Sequence, residues 1–563
     1  MSAKMNIKNI FDEKARKFLK SKKVLFAVWG CENTFFSTFQ GESTLKEIFS
    51  KVLVFDPQKT LFKFGQEAVN KMLFSLAKNE KPDFIFVYLL NDAISLDTIQ
   101  KIKEILPNTK IINFYGDDDT QFESLSVYTA LFCDYHLIIQ KDFLPRYKQE
   151  GIKNVFFMPP VAVPKLRKQE KKKFDVVFIG ACAPKWRYEQ VKYLVDNGVN
   201  LKLFGWGWKN YPNLRKVYVC RLAGEDIYKV MRQSKINLCF SKNKLGIPHL
   251  KGRIFEVGVN QSFLLAERAN ILSQLFKEGK EIIMFDSNED LLKKINFYLK
   301  NDNEREKIAK ALYRRMVKDY NPDTDLKKLA KRFYLDRKLH PKKTFDINKK
   351  IIVLNEKHFS LGEAQLKKKV ISFDYIALKH KNSHFFNIKN SLQAYSLEKS
   401  GKQISCCNSY LCSKGIGIYL TFLAEKSFRN NKKDFYLTAH TDQLLIKKDF
   451  FLKNIKKFYN LFKGLKINIF TEENTAFISL PLVKIYGSKL NPYLINRDIF
   501  TFNFLDNFRP LVYQRNLFTN PYVYNLIIES LFKRKFFMMR ELLKDFLSPD
   551  KFGSFKRIYK KNL

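Results

Sequence analysis

Residues 174–180, FDVVFIG, form a short apolar run that ends in glycine, and they open the series that decides the fold. A run of this length, rich in β-branched and aromatic residues, predicts a buried strand. Further strands are predicted at residues 200–204, 236–240, 263–266 and 281–285, and helices at residues 187–197, 224–233, 253–259, 271–275 and 288–299. Strands that alternate with helices in this way predict a parallel, doubly wound α/β domain.

A similar alternation precedes residue 164 and predicts another domain of this kind. Its strands are expected at residues 24–28, 52–55, 84–89, 111–115, 137–139 and 155–157, with helices at residues 44–50, 65–78 and 96–106. Two such domains in tandem enclose a cleft at the carboxyl ends of their strands, where ligands bind. Residues 304–339 have a charged, helical pattern long enough to run back across this cleft.

These patterns divide the chain into four segments. Residues 1–22 carry apolar residues at helical spacing and predict an amphipathic helix, and residues 23–163 are the N-terminal Rossmann-like domain. Residues 164–340 are the C-terminal Rossmann-like domain with its crossing helices. Residues 341–563 mix strand and helix patterns and predict an accessory α/β domain.

The composition favours a folded, strongly basic protein. Hydrophobic residues make up 45% of the 563 residues, which is too many for a disordered chain. The formal net charge of +45 favours anionic partners, such as a polyanion, an anionic membrane or a phosphorylated substrate, although an AT-rich coding bias also produces lysine-rich chains. The eight cysteines have no paired CxxC spacing and predict reduced thiols. No apolar run reaches the about 18 residues that span a bilayer, and no signal peptide is expected.

A basic cluster at the start of a predicted helix is the clearest candidate for a ligand site. Residues 251–256 place Lys251 and Arg253 at the helix start and Glu256 on its first turn. Free backbone N–H groups and the helix dipole favour an anion at such a position, so a diphosphate is expected there. Glu256 could accept hydrogen bonds from ribose hydroxyls, or it could be an ordinary helix-favouring glutamate.

Residues 174–320 resemble the C-terminal half of the spore-maturation-protein-B-like (CgeB-like) glycosyltransferases, of the glycosyltransferase group 1 type. The resemblance includes a strand that ends in Gly180, then Arg187, residues 203–208 (LFGWGW) with Gly205, residues 253–256 (RIFE), 263–267 (FLLAE) and 276–282 (FKEGKEI). It implies the two-domain GT-B fold, a nucleotide diphosphate sugar as donor, and no metal or tightly bound cofactor. It also implies that Glu256 holds the donor ribose, that Arg253 and Lys251 lie near the diphosphate, and that Gly180, Arg187 and Gly205 belong to the donor site.

Three further features face the predicted cleft. Asp117, Asp118 and Asp119 follow the strand at residues 111–115, and such acids could orient or deprotonate an acceptor hydroxyl, although a polar turn or a metal site are alternatives. Gly30 follows the first strand and allows a ligand to approach the backbone closely. His249, two residues before Lys251, is either a donor contact or a bystander.

A histidine in the N-terminal domain, His136, is expected to belong to the core rather than to act as a base.

The third domain has a weaker resemblance to the middle of a glycosyltransferase group 2 (GT-A) domain, carried by residues 362–364, 373–382 and 388–400. That family holds a metal with an acidic pair at the end of a strand, where this chain has Lys379, His380, Lys381 and Asn382. Because lysine cannot coordinate Mg²⁺ or Mn²⁺ through oxygen, a degenerate domain without metal chemistry is expected. Residues 440–443 (HTDQ) are a second candidate remnant of this domain.

The sequence therefore predicts a glycosyltransferase that moves a sugar to a hydroxyl of a surface glycan or glycolipid, of capsule or lipooligosaccharide type. A cytoplasmic protein is expected. Basic and aromatic residues alternate near Lys533 and at residues 551–561, which suits peripheral contact with the inner face of the plasma membrane and equally a nucleic acid backbone, while a solvated surface is the third interpretation. Nucleic acid is an unlikely partner. The alternatives are an inactive sugar-nucleotide-binding scaffold of a glycan assembly complex and a basic polyanion-binding protein.

Overall fold

The structure is a computed structural model. It describes residues 13–28, 45–46, 48–64, 66–89, 93–160, 162, 170–182, 185–222, 224–243, 246–339, 341, 347–381, 383–413, 416–420, 441–462 and 473–486. Gly30, Asn382, His440 and residues 1–12 and 487–563 therefore lie outside the described part of the chain. Residues 13–19, at the end of the predicted amphipathic segment, are helical.

The first sheet has six parallel strands in the order β2-β1-β3-β4-β5-β6. These are β1 (Lys23–Ala27), β2 (Lys51–Val54), β3 (Phe84–Val87), β4 (Lys110–Tyr115), β5 (Tyr135–Ile138) and β6 (Val155–Phe157). Its helices include Pro57–Phe64, Gln66–Glu80, Leu96–Ile105, Val127–Phe132 and Leu144–Gln149. Successive residues of β1 and β3 belong to two separate apolar clusters, so both faces of this sheet are buried, as is usual for a parallel sheet.

The second sheet also has six parallel strands, in the order β12-β11-β10-β7-β8-β9. These are β7 (Phe174–Ile179), β8 (Leu201–Phe204), β9 (Tyr218–Cys220), β10 (Ser234–Cys239), β11 (Leu264–Glu267) and β12 (Ile283–Phe285). Its helices are Lys185–Asp196, Glu225–Arg232, Gly252–Val259, Asn270–Leu275 and Asn288–Lys300. The strand order reverses between β7 and β10, and such a switch point is where open α/β sheets bind ligands.

Two long helices, Asp302–Asp319 and Pro322–Leu335, carry the chain from the second sheet back to the first. Asn321 separates them and caps the second helix by accepting a hydrogen bond from the Thr324 N–H at 3.0 Å. In the second helix, the Phe333 ring stacks on Phe84 of β3 at a centroid distance of 4.9 Å. The return across the cleft that the sequence predicts is therefore present.

The third sheet is mixed, with the order β13-β14-β18-β16-β19-β15 and β17 paired with β16. Its strands are β13 (Ile351–Leu354), β14 (Tyr375–Leu378), β15 (Ser383–Phe385), β16 (Ile404–Ser413), β17 (Ile416–Leu420), β18 (Leu444–Lys447) and β19 (Thr475–Tyr486). Its helices are Glu356–Phe359, Glu363–Val370, Lys389–Ser400, Lys448–Lys453 and Ile455–Phe462. The three sheets confirm the predicted fold class of two Rossmann-like domains followed by a mixed α/β domain.

The third domain and the first domain share one apolar core. Ile99 and Phe132 from the first domain belong to the same buried cluster as Ile388, Leu392 and Val483 from the third. The backbone N–H of Asn387 also donates to the Asp97 carboxylate at 3.1 Å. The interface between these two domains is therefore packed like a hydrophobic core, and no solvent layer separates the domains at these residues.

Two elements differ from the sequence prediction. Strand β9 was not predicted, because its apolar run, residues 217–220, is only four residues long between Lys216 and Arg221, and Val219 is exposed. Strand β15 (Ser383–Phe385) was also not predicted; it pairs with β19, and the helix Lys389–Ser400 begins after it. In the part of the chain that the structure describes, no helix combines the length and the apolar character needed to cross a membrane.

Candidate functional site

The loops after β7 and β8 meet backbone to backbone at the carboxyl edge of the second sheet. Gly205 has a φ of 127°, and a Cβ added there would lie 2.3 Å from the Gly180 carbonyl oxygen. The same carbonyl oxygen accepts a hydrogen bond from the Trp208 indole N–H at 2.8 Å. Gly205 is therefore required by this close approach, and both predicted glycines lie at the switch-point edge of the sheet.

The helix Gly252–Val259 begins at this edge without a capping side chain. Lys251 is its N-cap residue and has no side-chain oxygen that could accept from the first-turn N–H groups, and the first turn contains no acidic residue. Uncapped N–H groups and the helix dipole leave this end electropositive. The helix start is therefore suited to an anion, as the sequence predicts.

Three cations converge near this helix start. Cys239, the last residue of β10, lies within electrostatic range of Lys251, Arg253 and Arg187. Arg187 donates to the carbonyl oxygens of Ala181 at 3.0 Å and Lys242 at 3.4 Å. The structure thus brings together the cations that the sequence assigned to the donor.

Lys251 is the most exceptional of these cations. Its side chain is half-buried, and among the described residues its ammonium makes no hydrogen bond or ion pair. Burial, together with the charge of Arg187, lowers the pKa of Lys251 to about 8. A half-buried ammonium without an ion-pair partner is unfavourable in the free protein, so its presence favours a ligand that supplies negative charge.

Glu256 lies one turn into the helix and forms an ion pair with Arg253, with 2.5 Å between Oε2 and Nη1. Both side chains are largely buried, at 19% and 22% exposed. The pair holds the Glu256 carboxylate beside the cation cluster.

Glu267 at the end of β11 is a residue of this edge that the sequence reasoning did not single out for a role. Its carboxylate accepts hydrogen bonds from the backbone N–H groups of Ser241 at 3.0 Å and Lys242 at 3.2 Å. The Lys242 ammonium also lies 2.6 Å from it. Glu267 therefore fixes the loop that follows β10. The signal available in the sequence was the position of Glu267 at the end of the apolar run at residues 263–267.

Asp119 joins the two Rossmann-like domains. Its Oδ2 accepts hydrogen bonds from the Asn243 side-chain amide and from Nδ1 of His249. Burial raises the pKa of Asp119, but hydrogen bonds from His249 and Asn243, with the nearby charges, outweigh it and leave the pKa below its usual value. The other carboxylate oxygen, Oδ1, is buried and has no hydrogen-bond partner within the described residues.

A second contact between the domains lies beside this one. The Gln140 side chain donates to the Leu250 carbonyl oxygen at 3.2 Å and accepts from the Leu250 N–H at 3.0 Å. The segment from His249 to Lys251 is therefore held against the N-terminal domain from both sides.

Asp118 faces the interior of the N-terminal domain. It accepts from the Tyr147 hydroxyl at 2.6 Å, the Tyr147 hydroxyl lies 3.1 Å from His136 Nε2, and His136 Nδ1 lies 3.1 Å from the Asn113 amide. Burial raises the pKa of Asp118 to about 7. His136 is fully buried, as a core histidine should be, but it belongs to this polar chain.

The three consecutive acids therefore have different surroundings: Asp117 is exposed, Asp118 is directed into the core, and Asp119 lies at the cleft. Within the described ranges, no cluster of three or more His, Cys, Asp or Glu side chains could hold a metal ion.

In the third domain, His380 follows β14 at the position where the GT-A family has its acidic pair. Its Nδ1 lies 2.8 Å from the Asp442 carboxylate, and its ring stacks on Phe462 at a centroid distance of 4.1 Å. His380 and Asp442, one from each of the two segments singled out as candidate GT-A remnants, are therefore adjacent in space.

Residues 185–331 match the family described as glycosyl transferase-like. This match lies within the C-terminal Rossmann-like domain and its crossing helices, and the predicted enzyme class, a glycosyltransferase, is confirmed. No curated protein matches the chain.

Several solved structures are similar to a little over half of the chain. HepE from Anabaena, in complex with UDP and glucose, is 13% identical, with a TM-score of 0.42 over 56% of this chain and 100% of that chain. A glycosyltransferase from Rickettsia africae is 10% identical, with a TM-score of 0.40 over 57% of this chain and 99% of that chain. Sucrose-phosphate synthase from Thermosynechococcus elongatus is 9% identical, with a TM-score of 0.40 over 56% of this chain and 99% of that chain.

Proposed function

We propose that this chain transfers a sugar from a nucleotide diphosphate sugar to a hydroxyl group of a glycan or glycolipid, as a member of the CgeB-like branch of glycosyltransferases. The observation that carries the proposal is Lys251, a half-buried ammonium without an ion-pair partner among the described residues, at the uncapped start of the helix Gly252–Val259. A donor diphosphate supplies the negative charge that this position lacks.

The charge of the site suits the chemistry of the donor. Transfer breaks the bond between the sugar and the β-phosphate, so negative charge develops on the departing nucleoside diphosphate. Lys251, Arg253 and Arg187, together with the helix dipole, are already in place to stabilise that charge, and preorganised charges of this kind lower the reaction barrier. The charge on the leaving group is therefore handled without a metal in this proposal.

The remaining donor contacts follow from the same edge of the sheet. Glu256, held by Arg253, is placed to accept hydrogen bonds from the ribose hydroxyls. The floor formed by Gly180 and Gly205 lets the donor approach the backbone closely. The first Rossmann-like domain then provides the acceptor side of the cleft, with Asp119 at its edge.

The acceptor and the location rest on charge. A net charge of +45 suits an acceptor carried on an anionic lipid surface, so we propose a cytoplasmic enzyme peripheral to the inner face of the plasma membrane. A surface glycan or glycolipid is the corresponding acceptor class.

The test is a thermal-shift screen of the full chain against UDP, GDP, CDP, ADP and dTDP, alone and as sugar conjugates. A ligand that binds only the folded protein raises its melting temperature. We expect one nucleotide to stabilise the wild type and to lose this effect in Lys251→Met and Glu256→Ala. The matched control is Lys235→Met, because Lys235 lies at the opposite end of β10 in an ion pair with Asp175 and should leave the stabilisation intact.

A folded wild type that no nucleotide stabilises contradicts the proposal and favours the scaffold or polyanion-binding alternatives. Equal loss of stabilisation in Lys235→Met and Lys251→Met would also contradict it, because the effect would then not depend on the cation cluster.

A further inference from the structure

We propose that His249 is the base that removes the proton from the acceptor hydroxyl, with Asp119 as its positioning residue. The proposal rests on the proposed function, because it assigns a role within the same transfer reaction. His249 is 14% exposed and Asp119 is 2% exposed, so the pair is buried on the Asp119 side and open on the histidine side. The His249–Asp119 pair forms only where the two Rossmann-like domains meet.

The hydrogen bond to Asp119 determines which nitrogen of His249 is available. Burial raises the pKa of Asp119, but the hydrogen bonds from His249 and Asn243 outweigh this effect and lower it. Asp119 is therefore a carboxylate, which can only accept hydrogen bonds. Nδ1 of His249 must therefore carry the proton that it donates. In the neutral ring the lone pair is then on Nε2, which has no hydrogen-bond partner in the described ranges. A base oriented by a second group in this way is a recurrent catalytic arrangement.

Asp119 is itself held in position. Its Oδ2 also accepts from the Asn243 amide, and Asn243 belongs to the loop that Glu267 fixes through the N–H groups of Ser241 and Lys242. The His249 backbone N–H donates to the Ser241 carbonyl oxygen at 3.0 Å. The same loop therefore supports both members of the pair, which restricts rotation of the imidazole.

The pair lies close to the proposed leaving-group site. Lys251 is two residues after His249, and the charges of Asp119 and Asp117 act on it. Since the transferred sugar is bonded directly to the β-phosphate, a diphosphate at Lys251 places the sugar carbon near His249. A base at this position can reach an acceptor oxygen as it approaches that carbon.

Asp118 and Asp119 are less suited to this role. Asp118 is 1% exposed and accepts from Tyr147 in the core. The Asp119 side chain is 2% exposed and uses one oxygen for His249 and Asn243. His249 is therefore the base that the geometry assigns.

The step is balanced as follows. The acceptor oxygen forms a bond to the anomeric carbon of the donor sugar, and the bond from that carbon to the β-phosphate oxygen breaks. The electron pair of the broken bond leaves with the nucleoside diphosphate. The acceptor hydroxyl proton moves to Nε2 of His249, and the Asp119 carboxylate stabilises the resulting imidazolium.

The experiment measures release of nucleoside diphosphate from the nucleotide sugar that stabilises the wild type, with water as the acceptor. UDP-glucose, UDP-N-acetylglucosamine, GDP-mannose and dTDP-glucose are the probes. We expect His249→Ala to lower the rate about 100-fold or more, while the donor Kd changes less than about threefold. Added imidazole should restore part of the rate in His249→Ala and should not change the wild type.

Asp119→Asn tests the positioning role through the pH profile. Asp119 bonds to His249 directly, Lys251 lies within electrostatic range of Asp119, and Asp117 lies within range of Lys251. Removing the Asp119 charge makes the imidazolium less stable, so the acidic limb of the rate profile should move to lower pH. A merely structural residue would lower the rate without moving this limb.

Three results would overturn the assignment. In the first, His249→Ala releases nucleoside diphosphate at the wild-type rate. In the second, the donor Kd of His249→Ala rises in proportion to the loss of rate, which would make His249 a donor contact. In the third, the wild type binds a nucleotide sugar without releasing nucleoside diphosphate, since an accessible base beside the donor should activate water. Failure of every nucleotide to bind the wild type is a different result and contradicts the proposed function itself.

Discussion

His249 of the second Rossmann-like domain donates a hydrogen bond to Asp119 of the first, although 130 residues separate them along the chain. The contact joins the loop before the helix Gly252–Val259 to the end of strand β4. The cation cluster and the acidic residues of the cleft are therefore parts of one site.

Replacing Lys251 should increase the stability of the protein and weaken nucleotide binding. Lys251→Met removes a half-buried charge whose pKa is lowered to about 8 by burial, so we expect the free energy of unfolding at pH 7 to increase by about 1–3 kcal/mol. Nucleotide binding should weaken at least tenfold. Denaturant unfolding and a nucleotide titration measure the two effects. Lys235→Met, which breaks a surface ion pair, should do neither, and a Lys251→Met protein that is less stable than the wild type would refute the interpretation.

Donor affinity should decrease above about pH 8. The ammonium form of Lys251 attracts the diphosphate, and burial lowers the pKa of this group in the free protein to about 8. Binding of the anion favours the protonated form, so the affinity is constant below this pKa and falls as the pH rises through it. Calorimetric titration between pH 6.5 and 9.5, values chosen to span about 1.5 units on each side of that pKa, measures the effect. In Lys251→Arg the decrease should be absent, because arginine stays charged over this range.

The stability contribution of Asp118 should also depend on pH. Burial raises its pKa to about 7 in the folded protein, whereas the unfolded chain has the usual value near 3.8. Between these values the folded state binds more protons, so this contribution decreases as the pH rises from about 4 to 7. Asp118→Asn keeps an acceptor for the Tyr147 hydroxyl and should be more stable than the wild type by about 1–3 kcal/mol at pH 8. The difference should disappear near pH 4, and urea unfolding at both pH values tests this; a pH-independent difference would show that the charge is not the cause.

Gly205→Ala should be strongly destabilising. Its φ of 127° disfavours a side chain, and the new Cβ would lie 2.3 Å from the Gly180 carbonyl oxygen. We expect a loss of about 3 kcal/mol or more in the free energy of unfolding. Gly279→Ala is the control, because its φ is also positive, at 77°, but its Cβ would meet open space. The control should lose only about 1 kcal/mol, and equal losses in the two variants would mean that the backbone contact is unimportant.

Removal of the third domain should lower the stability and solubility of the first domain. A chain that ends at residue 340 exposes Ile99 and Phe132, which are buried against Ile388 and Leu392. We expect lower solubility and a lower melting temperature of the first two domains. Leu392→Asp in the full chain is a milder version of this test, because it places a charge in the shared core. A truncated protein as stable and soluble as the full chain would contradict the packing described above.

Most of the fold could be predicted from the sequence, because its signals are local. Apolar runs such as residues 174–179 and 111–115 are strands at nearly the predicted bounds. Strand β9 was not predicted, because its apolar run spans only residues 217–220 between two basic residues. The predicted site residues were chosen one at a time, from helix starts and strand ends.

Their mutual arrangement was beyond sequence reasoning. Nothing in the sequence around His249 or Asp119 indicates that the two residues are in contact, because only the packing of two domains brings them together. The differing surroundings of Asp118 and Asp119 have the same origin. Tyr147 reaches Asp118 from a helix 29 residues away, and Asn243 reaches Asp119 from the other domain.

The shared core of the first and third domains has a consequence for movement in this molecule. If the cleft opens for substrate entry, the third domain cannot stay behind, because Leu392 and Ile388 are packed among the helices of the first domain. We therefore expect the first and third domains to move together relative to the second domain, with a bend at Asn321, where the crossing helices meet.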